Sequence, residues 1–196
     1  MHAFDVKTLT AGRWHNGGGA TREIASHPAG ASGFEWRASL ADIDRDGPFS
    51  LFPGVDRTLT LVAGDGMRLS SPGLRAPLLA RTGEPLAFPG DLAIDADLPD
   101  GACRALNIMV RRGRWTARVQ QVNARVAPPL GHAGVLHVLR GHWRTGDGTN
   151  VLAPGQGLWW HADEKAPNHA AAPLSADATA LWADLVPSGS ARSACG

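Results

Sequence analysis

The sequence predicts an all-β protein folded as two small barrels. Three observations lead there: abundant glycine and proline, apolar residues that alternate with a period of two, and a strand–turn order that recurs in the two halves. The 196 residues include 24 glycines and 14 prolines, spread along the chain. That is well above the usual combined share of about 12%. Each glycine or proline inside a helix costs about 1 or 3 kcal/mol, so a chain punctuated this often favours short strands and turns.

The alternation is plainest in residues 34–43. Phe34, Trp36, Ala38 and Leu40 fall on one face of an extended chain, and Glu35, Arg37, Ser39 and Ala41 on the other. Further strands are expected over residues 58–62, 104–110 and 115–122, each bounded by turn residues. Residues 176–185 admit a helix because of their alanines. The alternation from Leu181 to Val186 favours a closing strand instead, and a strand is expected there.

The halves resemble each other. Leu59-Thr60-Leu61-Val62-Ala63-Gly64 precedes Leu86-Ala87-Phe88-Pro89-Gly90, and Leu136-His137-Val138-Leu139-Arg140-Gly141 precedes Val151-Leu152-Ala153-Pro154-Gly155. Proline at the second position of a turn and glycine with positive φ at the third make a type II corner, so the two Pro-Gly pairs are expected to correspond. This repeated order resembles the cupin barrel, so the predicted fold is a bicupin of two RmlC-like double-stranded β-helices. The seam is placed at Ala127-Pro128-Pro129, giving residues 1–127 as the first barrel, with the ligand pocket, and residues 128–196 as a degenerate second one.

Composition excludes several classes of function. The formal net charge is +1, and the short Arg111-Arg112-Gly113-Arg114 cluster reads as a solvated strand end, so no nucleic-acid partner is expected. No segment approaches the roughly 20 apolar residues of a membrane span, and no membrane partner is expected. The first ten residues carry Asp5 and Lys7 and lack a secretory core, so the expected location is the cytoplasm. Cys103 and Cys195 are then expected as free thiols.

Trp14-His15-Asn16-Gly17-Gly18-Gly19-Ala20-Thr21-Arg22-Glu23-Ile24 resembles the opening signature of the HutD/Ves proteins. Residues 34–41 are similar to a second signature and Asp46-Gly47-Pro48-Phe49-Ser50-Leu51-Phe52-Pro53-Gly54-Val55-Asp56-Arg57-Thr58-Leu59 to a third. Phe88-Pro89-Gly90-Asp91 and Leu106-Asn107-Ile108-Met109 complete the series, in family order over roughly the first 115 residues. His15 departs from the lysine common at that place. The resemblance implies a bacterial bicupin associated with histidine utilisation. It further implies binding of a small carboxylate metabolite such as formylglutamate or urocanate, in a governing role and without established catalysis.

Within that frame the candidate ligand-binding residues are Trp14, Asn16, Gly17, Gly18, Arg37, Ser39, Arg57 and Asn107. Gly17-Gly18-Gly19 lacks the Lys-Ser/Thr of a phosphate loop and the spacing of a dinucleotide loop. It is either a mobile turn or a loop whose amides close over a carboxylate. A buried guanidinium needs an acidic partner, so Arg37, with Ser39 beside it, is read as a ligand contact, the alternative being a structural ion pair. Arg57 is either part of a turn centred on Asp56 or a second cationic contact. Asn107 either pins a neighbouring strand or touches ligand. Phe52, Trp14 and Trp36 are read first as core.

No metal or other cofactor is expected. No histidine lies between His27 and His132, and the second-half His132, His137, His142, His161 and His169 lack a useful spacing. His137 and His142, five apart, would point to opposite faces of a continuous strand. No nucleophile motif is present, so catalytic residues are unassigned. The competing reading is a metal-free isomerase or hydrolase of a small acid, using Glu23 or Asp56 as general acid or base. A third is an interaction module docking through a surface Trp159-Trp160, which leaves a homodimer open.

Overall fold

The computed structural model describes residues 1–30, 33–74, 78–164 and 170–189. Eighteen β-strands and no helix occur among them, so no helix there is long and apolar enough to cross a membrane. The chain divides into two compact units, Thr10–Arg112 and Met1–Leu9 with Gly113–Gly196, called here the first and second barrels.

In chain order, β1 (His2–Asp5) belongs to the second barrel. The first barrel follows with β2 (Ala11–Arg13), β3 (Gly19–His27), β4 (Trp36–Ile43), β5 (Gly47–Pro48), β6 (Val55–Ala63), β7 (Met67–Ser70), β8 (Leu78–Ala80), β9 (Leu86–Pro89), β10 (Asp95–Asp97) and β11 (Cys103–Arg111). The second barrel is completed by β12 (Trp115–Val122), β13 (Ala133–Arg140), β14 (Trp143–Thr145), β15 (Val151–Leu152), β16 (Gln156–Trp160), β17 (Ala171–Pro173) and β18 (Thr179–Pro187).

Each barrel closes a larger sheet over a smaller one. In the first, a six-stranded sheet β2-β3-β4-β11-β6-β9 faces a four-stranded sheet β5-β10-β7-β8. Between them lie Ile43, Leu59, Leu61, Met67, Leu69, Phe88 and Ile94, all buried. In the second, a five-stranded sheet β1-β16-β13-β18-β12 and a three-stranded sheet β15-β14-β17 enclose Leu136, Trp143, Leu158, Trp160 and Trp182.

The expected strands are present, including the closing strand β18. The seam differs from the expected 127/128 boundary. Strand β12 pairs along its whole length with β18, from Trp115 opposite Pro187 to Val122 opposite Ala180, so it belongs with the second half. Prolines at 128 and 129 interrupt a connection inside that barrel instead of separating the two.

The repeat also aligns differently. Gly155 donates its amide to the Val138 carbonyl at 3.0 Å, and its counterpart is Gly83, which donates to the Leu61 carbonyl at 2.8 Å. Both glycines have positive φ, 84° and 81°. Gly90 is not in that region; a Cβ there would meet the carbonyl oxygens of Phe52 at 2.7 Å and Val55 at 2.8 Å. Its lack of a side chain serves close backbone packing, not a type II corner.

Gly19 is under the same constraint. A Cβ on it would lie 2.1 Å from the Asp42 carbonyl oxygen, across the β3–β4 pairing. Gly19→Ala is therefore expected to lower stability in urea by about 1–3 kcal/mol through overpacking. Gly113→Ala meets nothing within 4 Å and should cost about 1–2 kcal/mol, from its left-handed backbone alone. A loss below about 1 kcal/mol for Gly19→Ala would contradict the role assigned to Gly19.

Candidate functional site

One end of the first barrel is filled by apolar side chains, and the other holds a cavity of about 480 Å³. Strand register builds its floor. Ser39 on β4 faces Asn107 on β11, which faces Leu59 on β6. One row further, Arg37, Met109, Arg57 and Phe88 are cross-strand neighbours on β4, β11, β6 and β9. Residues two apart share a face, so Ser39, Asn107, Leu59, Arg37, Met109 and Arg57 all line the cavity, and Phe88 is buried beside Arg57. Residues 13–16, 48–50 and 52 supply the rim. The alternation in β4 separates this polar interior from Trp36, Ala38 and Leu40 on its other face, all 0% exposed.

Arg57 dominates the chemistry. Among the described residues it is the only buried Asp, Glu, Lys or Arg, with 6% of its surface exposed. Its guanidinium carbon lies 5.4, 5.4 and 5.1 Å from the ring centres of Phe49, Phe52 and Phe88. Nη1 donates a long bond of 3.4 Å to the Ser50 carbonyl, and Nε is buried with no hydrogen-bond partner. No carboxylate pairs with it among the described residues. Burial lowers its pKa to about 10, which leaves it cationic at neutral pH.

Asn107 is also 6% exposed, and its Oδ1 has no hydrogen-bond partner. Arg37 lines the cavity while its Nε donates to Glu23 Oε2 at 2.8 Å, so the contact and ion-pair readings of this side chain are compatible. Arg57 does not build a turn with Asp56; β6 sends the two to opposite faces, and Asp56 pairs with Arg112 at 2.8 Å.

Of the expected residues, Trp14, Asn16, Arg37, Ser39, Arg57 and Asn107 line the cavity, and Gly17 and Gly18 do not. The Gly17 amide donates to the Trp14 carbonyl at 2.9 Å, and the Gly18 amide to Asn16 Oδ1 at 2.9 Å. Both donors are engaged inside the turn, which corrects their expected role of closing over a carboxylate. The turn instead shapes the rim, where Trp14 is fixed by a 2.8 Å bond from Nε1 to Thr21 Oγ1. Phe52, read first as core, lies at the cavity wall, and Trp36 is core. Sequence reasoning missed Phe49, Phe88 and Met109 as site residues. Their apolar character carries no signal until register sets them beside Arg57.

The lining residues include three arginines and no aspartate or glutamate. Glu23 and Asp56, the acids of the competing enzymatic reading, are absent from the lining. Each is bound to an arginine, Glu23 also to Ser26. Among the described residues no group of three His, Cys, Asp or Glu is arranged to hold a metal ion; His169 and Cys195 lie outside them. β13 stops at Arg140, so His137 and His142 do not share a continuous strand: His137 is buried and His142 exposed in the following turn. Trp159-Trp160 is not a surface pair, because alternation in β16 buries Trp160 to 1% exposure. Cys103 is a buried free thiol.

Comparisons with known proteins agree with this architecture. The HutD family model matches residues 6–181. Protein Ves of Citrobacter koseri is 38% identical over 162 residues, covering 82% of this chain and 83% of its own. The structure of HutD from Pseudomonas fluorescens SBW25 has a TM-score of 0.80 and 25% identity, covering 95% of this chain and 98% of that one. A cupin 2 conserved barrel domain protein from Leptotrichia buccalis shares the fold, with a TM-score of 0.58, 10% identity and coverage of 95% and 96%. The fold is a bicupin.

An unpaired buried cation contributes little to folding. Desolvation of a buried ion costs several kcal/mol, against about 0.5–2 kcal/mol for a cation–π contact. Arg57→Met removes the charge at similar volume, and the ligand-free variant is expected to melt at an unchanged or higher temperature. A loss above about 2 kcal/mol would instead identify Arg57 as a structural brace.

Proposed function

This chain belongs to the HutD family, and from that premise we propose that the first-barrel cavity binds a small carboxylic acid without transforming it. The observation that carries the proposal is Arg57, a buried guanidinium whose Nε lacks a partner and which no described carboxylate neutralises. A ligand carboxylate supplies the missing charge and accepts the unmade hydrogen bonds. The cage of Phe49, Phe52 and Phe88 holds the guanidinium in place before the ligand arrives, which lowers the ordering cost of binding.

Arg37 sits two strands away in the same row. At about 4.8 Å per strand the two backbones are about 10 Å apart. A second acidic group at the far end of the ligand therefore meets Arg37, while Ser39 and Asn107 lie beneath its middle. Leu59 and Met109 favour an aliphatic or flat body. The family association with histidine utilisation directs the choice to acids of histidine breakdown. Formylglutamate has two carboxylates and urocanate one, and we assign the protein a governing role exerted through their occupancy of this site in the cytoplasm. With His15 the only lining side chain besides the three arginines that exchanges a proton, the cavity is suited to recognition rather than to proton transfer.

Formylglutamate and urocanate are expected to raise the melting temperature by binding the native state. In calorimetric titrations Arg57→Ala should weaken both acids by about 100-fold or more, consistent with truncation of a buried charge partner. Arg37→Ala should weaken formylglutamate by about 3–10-fold and urocanate less, because Arg37 is partly solvated and already paired. Absence of binding by either acid at millimolar concentration would overturn the ligand assignment.

Affinity should also stay level from neutral pH to about pH 9 and fall as pH rises past about 10, where free Arg57 loses its proton. Competition titrations across that range test the sign. Binding that strengthens at alkaline pH would be incompatible with an Arg57 anchor.

A further inference from the structure

We infer that binding is confined to the first barrel, at one ligand per chain, because the second barrel's corresponding interior is filled by tryptophan. This rests on the carboxylate-binding reading of the first cavity. The two barrels share a strand frame that fixes the correspondence at several independent points. Leu59 on β6 lies opposite Asn107 and Leu86; Leu136 on β13 lies opposite Trp182 and Leu158. One step along, Leu61 pairs with Ala105 and Val138 with Ala180, and each pairing is followed by a register shift. The Gly83–Leu61 and Gly155–Val138 backbone bonds repeat the same geometry.

With the frames matched, the ligand-binding positions can be read across. Arg57 lies opposite Met109 and Phe88; its counterpart Gly134 lies opposite Asp184 and Trp160. The anchoring guanidinium is thus replaced by a residue with no side chain. The counterpart of Asn107 is Trp182, and that of Phe88 is Trp160.

The glycine and the tryptophan explain each other. A Cβ on Gly134 would lie 2.3 Å from Trp160 Cζ2 and 2.4 Å from the Ala183 carbonyl oxygen. The indole therefore occupies the space into which a side chain at 134 would project. Trp160 and Trp182 pack with ring centres 4.7 Å apart and are 1% and 7% exposed. Both belong to the continuous apolar cluster of that barrel. Trp160 Nε1 is buried without a hydrogen-bond partner, as is Trp143 Nε1 in the same cluster, so the rings serve as filling and not as polar contacts.

Electrostatics point the same way. Where the first barrel has Met109, the second has Asp184, held by His132 Nδ1 at 2.8 Å. A carboxylate at that position repels an incoming acid, whereas the first barrel presents no carboxylate in its lining. The exchange of Arg57, Asn107 and Met109 for Gly134, Trp182 and Asp184 removes the anchor, fills the volume and adds a carboxylate, while Arg118, opposite Asp184, keeps the place of Arg37.

Two measurements test this on the full chain. Calorimetric titration with formylglutamate should give one equivalent per chain, and Trp160→Leu should leave that equivalent and its affinity within twofold. In crystals pressurised with xenon, which enters dry apolar cavities, no atom should appear beside Gly134 in the unaltered protein. One should appear there in Trp160→Ala or, where that variant does not fold, in Trp160→Leu. Xenon beside Gly134 in the unaltered protein would overturn the inference, as would a second equivalent of formylglutamate that Trp182→Leu alters. If formylglutamate fails to bind anywhere while the xenon pattern holds, the reading of the first cavity fails and the filled state of the second barrel stands.

Discussion

A positive charge enclosed by three phenylalanine rings, with no carboxylate among the described residues to neutralise it, is the constraint on which the first barrel depends. Burial penalises the charged form of Arg57 and lowers its pKa to about 10. Phe49, Phe52 and Phe88 recover part of that penalty through their electron-rich faces. The remainder is a standing demand for an anion. Everything nearby preserves the demand: the closest acids face other directions or are already bound to arginines.

That arrangement follows from register more than from any single residue. Arg57 and Asp56 are adjacent in sequence, yet the pleat of β6 sends one into the barrel and the other to Arg112 outside. A slip of one residue in β6 would exchange the two faces and place a carboxylate where the guanidinium belongs. The packing of β11 between β4 and β6 fixes the row from Arg37 to Phe88. Gly90, packed on the Phe52 and Val55 carbonyls, ties the rim segment to the end of β9. Stability and recognition therefore share the same ladder of backbone bonds.

Much of this was legible in the sequence. Period-two alternation located β4, β6, β11 and β12, and the signature segments directed attention to Arg37, Ser39, Arg57 and Asn107. Alternation says which residues share a face but not which strands become neighbours. Phe88 is therefore not joined to Arg57 by alternation alone, and the partner of β12 is set by its pairing with β18, which no local pattern displays. The Gly17-Gly18 amides looked available because a glycine run exposes its backbone, but Asn16 and the Trp14 carbonyl take up both donors. The two Pro-Gly pairs looked equivalent because identical dipeptides hide different duties: one turns the chain, the other makes room for it. A buried tryptophan and an exposed one are likewise the same letter, and only the strand's phase separates Trp160 from Trp159.

Gly134 and Trp160 also constrain how the chain could change. Any side chain introduced at 134 meets the indole and a backbone carbonyl, while shrinking Trp160 alone leaves an unfilled hole. Each single replacement is harmful in a background where the other is unchanged, so the two positions are strongly epistatic. A second cavity lined like that of the first barrel would require Gly134, Trp160 and Trp182 to change together, across a valley of less stable intermediates. One barrel thus keeps a cavity beside an unpaired guanidinium, and in the other the same place is taken by a ring that nothing beneath it can displace.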